Sequence, residues 1–522
     1  MMKDKSALVA TLLFMSLFWP SFVRAESSDS EGSYTVLLTN PEQVIQGLGV
    51  EIQSDGWGPD WINSDPVRGV PYVLNDSERK RLAANMLKGF RYLRLGMGIW
   101  YRGVTDDKKN FQERYAGQND ALLQMISEAG IEGISMEYWS PAPYWKTSGK
   151  LVGGVLKKYT PTFLSSFANA MVKDLQYLQN KSFKILTWGM QNEPLFTNTS
   201  YPACQYSARN YVNAFKYVAP RIREASPSTE IIVDSNDGNT GVIADELRTN
   251  NPDLLQYVDA WVYHRIGESS DLPMDSAEKL KVGAGEKPIY NNEYEYFSYN
   301  VKNYTANWRM VNTAQSLMNW MTFLNSPKWY WLHALKPADD TENGDGFGLG
   351  YYREKGMSDG GKGVGDGYWI YNTTNFNALA GFLKYMPWDS RRYDVKEDKV
   401  RKDQRIMCWK RPDGTFVIAL TNRSDQSFTF KVHVSGAVTY TGHRYNINMR
   451  DIDLEKQSGS NLSTTLRPWS IEFWEVRSAT GIKPVVTNKS NGYYYSIVGY
   501  KYDKRPTRRG VYIYNGKKIV IK

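Results

Sequence analysis

The sequence predicts a (β/α)8 barrel joined to an antiparallel β-sandwich, and three observations carry that expectation. From Val44 to about Pro337, short apolar runs alternate with amphipathic stretches, giving eight candidate strands. Two of these runs end in a carboxylate: Thr187-Trp-Gly-Met-Gln-Asn-Glu-Pro194 and Lys287-Pro-Ile-Tyr-Asn-Asn-Glu-Tyr-Glu-Tyr296. After about Thr373 the pattern changes to short alternating strands punctuated by turns such as Pro412-Asp413-Gly414. A doubly wound open sheet would share the first observation. Acids at the ends of the fourth and seventh strands favour a closed barrel, whose site lies at the C-terminal strand ends.

Along the chain, residues 1–25 read as a secretory leader. Lys3 and Lys5 precede an apolar stretch from Ala7 to Trp19, and Val23-Arg24-Ala25 supplies small residues for cleavage. That stretch is too short to span a bilayer, and no later run replaces it. Export to the cell surface or medium is the expectation. Residues 26–43 hold a strand, Ser33–Leu38, expected to join the sandwich. Residues 44–372 form the expected barrel, with strands at Ile45–Ile52, Phe90–Met97, Gly133–Trp139, Ile185–Met190, Glu230–Asp234, Ala260–His264, Pro288–Asn292 and Trp329–Leu335. Between them, Asn75–Leu87 opens with a helix cap and Glu78, and Phe163–Leu178 has helical apolar spacing. Two long loops are expected, at Asp55–Val73 and Asp339–Gly367.

Residues 373–478 form the expected sandwich, with strands at Ile406–Arg411, Thr415–Thr421, Ser427–Val434, Val438–Asn446, Asn461–Leu466 and Ser470–Val476. Residues 479–522 form a basic tail carrying ten Lys and Arg against one Asp, Asp503. The tail accounts for the whole formal charge of +9, because residues 1–478 balance. The body therefore has no electrostatic footprint for nucleic acid. Cys204 and Cys408 are far apart and read as two free thiols, and four scattered histidines give no metal-ligand spacing. No cofactor is expected.

Two facing carboxylates are the minimal equipment for cleaving a glycosidic bond. An aromatic fraction of 14%, with 17 Trp and 36 Tyr, suits either a well-filled core or rings that stack on sugars. Glu193 closes Asn192-Glu193-Pro194. Glu295 lies two residues beyond Glu293 on the same expected strand face and competes with it as the second acid.

The chain resembles retaining glycoside hydrolases of clan A, and within them family 30. Gln46-Gly-Leu-Gly49 is similar to that family's opening turn, and Trp139-Ser-Pro-Ala-Pro-Tyr-Trp-Lys-Thr-Ser-Gly149 to its third-strand segment. Asn192-Glu193-Pro194 resembles its acid/base signature, and Glu293 falls where its nucleophile lies. The likeness covers roughly residues 40–478, including a side sandwich built from both chain ends. The resemblance implies Glu193 as acid/base, Glu293 as nucleophile, Arg94 as a cation beside it and Asn192 as a ligand for a sugar hydroxyl. Trp139, Trp145 and Trp331 become candidate walls of the sugar site, while Trp57 and Trp188 read as packing. His264 is a candidate partner of substrate or nucleophile, or a structural histidine, and Glu295 a residue that orients a neighbour.

Ser140-Pro-Ala-Pro-Tyr-Trp145 with Leu156-Lys157 is closest to the endo-β-1,6-galactanase-like branch, which makes β-1,6-galactan the first substrate expected. Glucuronoxylan and β-1,6-glucan are alternatives, since Glu51-Ile52-Gln53-Ser54-Asp55 and Asn291-Asn292 depart from the family pattern. A non-catalytic carbohydrate-binding protein and a transglycosylase share the scaffold. The tail resembles C-terminal sorting segments of exported Bacteroidota proteins, which implies an outer-membrane sorting machinery as a partner.

Overall fold

The computed structural model describes residues 30–52, 74–99, 101–104, 111–113, 118–196, 201–236, 241–285, 287–340, 344–478 and parts of 494–521. The leader, Trp57 and nearly all of the expected loop at 55–73 lie outside the described residues.

Eight parallel strands close into a barrel: Gly47–Glu51, Tyr92–Met97, Gly133–Tyr138, Ile185–Gly189, Glu230–Asn236, Ala260–His264, Ile289–Glu293 and Lys328–Pro337. The first strand pairs with both the second and the eighth, which removes every edge. Gln46-Gly-Leu-Gly49 is thus the entry into the first strand, and Gly49 has a packing reason. A Cβ there would meet the Tyr330 ring at 2.5 Å. That ring fills the barrel with Tyr92 and Tyr290, at centroid distances of 5.5 and 5.9 Å.

The helix expected from Asn75 runs from Asp76 to Leu82 and continues as a wider turn to Leu87, without a side-chain cap bond from Asn75. The helix expected at Phe163–Leu178 extends over Pro161–Asn180. Part of the long loop expected after the eighth strand is sheet. Gly348–Tyr352 pairs in parallel with the eighth strand and antiparallel with Trp369–Tyr371. Its Gly-Leu-Gly start hides the alternation, and a Cβ on Gly350 would strike the Ile370 carbonyl.

The second layer is an antiparallel β-sandwich. Glu31–Ile45 pairs antiparallel with Ser390–Glu397 and in parallel with Phe428–Tyr445. Ser390–Glu397 was not expected, because its charged run Arg391-Arg392 masks the alternation. The strands expected at Ser427–Val434 and Val438–Asn446 are one long strand, Phe428–Tyr445, whose register shifts between His433 and Val438 around the left-handed Gly436. Buried Arg423 ties sandwich to barrel, donating to Ser270, Asn312 and Asp271 at 2.8–2.9 Å. Both cysteines are buried and free. No helix among the described residues is long and apolar enough to cross a membrane.

One buried acid ties the rim after the second strand to the helix Pro161–Asn180. Asp174 accepts from the Val104 N–H and the Tyr138 O–H, both at 2.8 Å. Burial pushes its carboxyl from the ordinary 3.8 up to about 7, against those two bonds. The folded chain therefore holds this proton more tightly than the unfolded chain. The associated stability is present at low pH and lost as pH rises from 3.8 toward 7. Asp174→Asn should gain melting temperature relative to wild type, by roughly a few degrees, as pH rises from about 5 to about 8. A pH-independent gap in calorimetry would contradict this assignment.

Candidate active site

Arg94, inside the second strand, is met by Glu137, Asn192, His264 and Glu293, each near or just past the C-terminal end of a different strand. Arg94 sits on the second strand and is 1% exposed. Its guanidinium donates to Glu293 Oε2 at 2.5 Å, to Glu137 Oε2 at 2.7 Å and to Asn192 Oδ1 at 2.6 Å. One face lies over the Trp139 ring, 4.3 Å from its centroid. Glu51, buried at the end of the first strand, adds a further negative charge near it. The surrounding carboxylates hold the guanidinium charged, although burial opposes them.

Glu193 reaches the site through a left-handed backbone, φ 45°, that few non-glycine residues adopt. Bonds on either side hold it there: Asn192 N–H to the Tyr138 carbonyl at 2.6 Å and Glu193 N–H to the Ser235 carbonyl at 2.7 Å. Its Oε1 meets His264 Nδ1 at 3.2 Å, and its Oε2 accepts from the Tyr201 hydroxyl at 2.7 Å. His264 Nε2 lies 3.1 Å from Ser235 Oγ and 3.5 Å from Glu293 Oε2. Atoms of Glu193, His264 and Glu293 all fall within 4.8 Å of one another. This trio has the spacing of a metal site, which the linear sequence hides by placing each residue on a separate strand.

The electrostatics differ from a simple division into raised acid and ionised partner. Burial pushes the Glu193 carboxyl up, yet hydrogen bonds from His264 and Tyr201 and the Arg94 charge hold it below the ordinary carboxylate range. Burial holds the Glu293 carboxyl above that range, with His264 and Arg94 pulling against it. Burial lowers His264, but Glu293 and Glu193 outweigh it and hold the imidazole above its usual value. The three groups lie close enough that the titration of each depends on the other two.

The structure separates the other sequence candidates. Glu295 does not share a strand face with Glu293, because the strand ends at Glu293. Its carboxylate instead meets His333 Nδ1 at 2.7 Å. Trp331 is fully buried, with its indole N–H on the carbonyls of His333 and Phe347, so it offers no face to a sugar here. Trp145 is buried, packs on Phe163 and Phe167 and donates to the Val104 carbonyl. Trp139 backs Arg94, and Trp188 is core. Sequence reading missed Glu137, Glu51, Tyr201 and Ser235. The two acids were visible only as charges inside apolar strands, at Met136-Glu137-Tyr138 and Val50-Glu51-Ile52.

This chain is similar in fold to glycoside hydrolases of family 30. The catalytic domain of a family 30 xylanase C from Talaromyces cellulolyticus superposes with a TM-score of 0.63, at 14% identity, over 85% of this chain and 100% of its own. A conserved exported protein from Bacteroides fragilis gives 0.66 at 13% identity, over 85% and 100%. An endo-β-1,6-glucanase gives 0.63 at 14% identity, over 86% and 94%. No protein-family model and no curated protein matches the sequence. At such identities the likeness is one of fold, and the chemistry must come from the site itself.

Removing one partner from the buried Arg94 cluster leaves charge uncompensated. Glu137→Ala should cost about 3–5 kcal/mol in denaturant unfolding, whereas an exposed acid such as Glu128 should cost well under about 1 kcal/mol. Equal losses at the two positions would contradict the cluster's structural role.

Proposed function

We propose that the chain is a secreted retaining β-glycoside hydrolase acting on a polysaccharide, with Glu193 as acid/base and Glu293 as nucleophile. The observation that carries this reading is the approach of the two carboxylates to within 4.8 Å, on opposite sides of His264. Inverting enzymes hold their carboxyls about 6.5–9.5 Å apart to admit a water, and retaining ones about 5–5.5 Å.

In the first half-reaction Glu293 attacks the anomeric carbon and Glu193 gives its proton to the departing glycosidic oxygen. In the second, Glu193 takes a proton from water, which displaces the sugar from Glu293. Both Arg94 and His264 approach Glu293 at Oε2, which leaves Oε1 for attack. The first step needs a proton on Glu193 and a charge on Glu293, the reverse of the free-site directions. His264 touches both acids through its two nitrogens, so it can relay a proton between them without a net change in charge. In this reading Asn192, held by Arg94, bonds a hydroxyl next to the reacting carbon. Because Arg94 already occupies Glu293 Oε2, a metal ion would be repelled from the trio.

β-1,6-Galactan remains the first substrate on the resemblance of the third-strand segment, with glucuronoxylan and β-1,6-glucan next. The leader supports export. The four short strands between Tyr494 and Ile521 pair only with one another among the described residues, which suits a detachable sorting unit.

Product analysis on a panel of β-linked polysaccharides tests the assignment. Glu193→Gln and Glu293→Gln should each lose at least about 10³-fold in kcat on the best substrate, and a chelator should leave wild-type turnover intact. Wild-type turnover in both variants would sink the reading. Tyr201→Phe removes a donor to ionised Glu193 and strengthens its hold on a proton, so the alkaline limb of kcat/KM, which belongs to the coupled acids, should move upward by at most about one pH unit. An unmoved limb would show that Glu193 does not set it.

A further inference from the structure

The acid that protonates a glycosidic oxygen must lie beside the sugar that leaves with that oxygen. The rim next to Glu193 is therefore where a leaving sugar would be held, and one side chain there is unusual. Phe196, three residues after Glu193, is 52% exposed. It is the one phenylalanine among the exposed large apolar side chains of the described residues.

Here the backbone is fixed. Phe196 N–H donates to the Glu193 carbonyl at 3.0 Å, and Leu195 N–H to Asn236 Oδ1 at 3.3 Å. Tyr206 N–H closes on the Pro194 carbonyl at 2.6 Å. Ala203 and Gln205 are tied to the neighbouring loop, through Ala203 N–H on the Leu151 carbonyl and Gln205 N–H on the Gly154 carbonyl. The wall that presents Phe196 is thus knitted on both sides of the acid.

Given the hydrolase reading, on which this inference rests, we propose that Phe196 is the stacking platform for the leaving-group sugar. Its occupant is a pyranose ring of a β-linked oligosaccharide, laid with its C–H face on the phenyl ring. A pyranose presents such an apolar face, and covering half of a phenylalanine is worth about a tenfold gain in affinity. The enzyme then draws part of its transition-state binding from sugars beyond the scissile bond and prefers oligomers to substrates with small leaving groups.

The test compares kcat/KM of the full chain on two substrates that share the sugar attacked and differ in what leaves. These are a β-1,6-linked galacto-oligosaccharide and methyl β-galactoside, whose alkoxide leaving groups both need the acid, or the gluco- or xylo-counterparts if the product panel selects those. Phe196→Ala should lower the ratio of oligosaccharide to methyl glycoside kcat/KM about tenfold, while Phe196→Tyr keeps it within about twofold. A ratio unchanged in Phe196→Ala would overturn the proposal. So would an equal fall on both substrates, which would mean that the ring supports the acid and not a sugar. A wild-type chain inert on every glycoside would overturn the hydrolase reading itself, and this inference with it.

Discussion

The buried guanidinium of Arg94 is the interaction on which the site depends. It has almost no contact with water and is bonded to side chains from three other strands: Glu137, Asn192 and Glu293. Burying a cation is costly unless its donors are matched by acceptors and its charge by anions. Here the fold supplies both, and each acid is in turn fixed by the cation. Glu293 is thereby locked in direction, and Asn192, one residue before Glu193, is locked with it. The same cation that orients one acid thus anchors the segment that carries the other.

That arrangement also sets the two acids in different surroundings. Glu193 has two hydrogen-bond donors, Tyr201 and His264, which together with the Arg94 charge outweigh its burial and hold its carboxyl below the ordinary range. Glu293 is the more buried of the two, and burial holds its carboxyl above that range against the pull of His264 and Arg94. His264 contacts both acids, so the titration of each depends on the other.

Much of the barrel was legible in the sequence because its signals are local. Each strand is an apolar run bounded by helix caps or turns, and all eight lie where the runs lie. The acids ending the fourth and seventh strands were equally legible, as was Arg94 within Arg91-Tyr-Leu-Arg-Leu. What the sequence withheld was contact between elements. Glu137 and Glu51 read as isolated charges until the closed barrel turns them toward Arg94. Glu295 read as a rival of Glu293 because strand periodicity was extended past the true strand end. Trp331 read as a sugar floor because its strand ends near the site, but side chains on that strand alternate between the barrel interior and the helices, and Trp331 packs with Trp329 and Tyr294. The Gly-Leu-Gly strand after the barrel was hidden because glycine carries no side chain to alternate.

The central claim is that Glu293, held by Arg94 opposite Glu193, forms the covalent bond to the sugar. The most direct measurement is trapping with a 2-deoxy-2-fluoro glycosyl fluoride of the sugar cleaved, followed by peptide mass spectrometry. The account predicts one adduct, on the peptide Pro288–Tyr296, with fragmentation placing it on Glu293. An adduct on Glu295, or rapid hydrolysis of the natural substrate to a product of inverted configuration with no adduct formed, would contradict it.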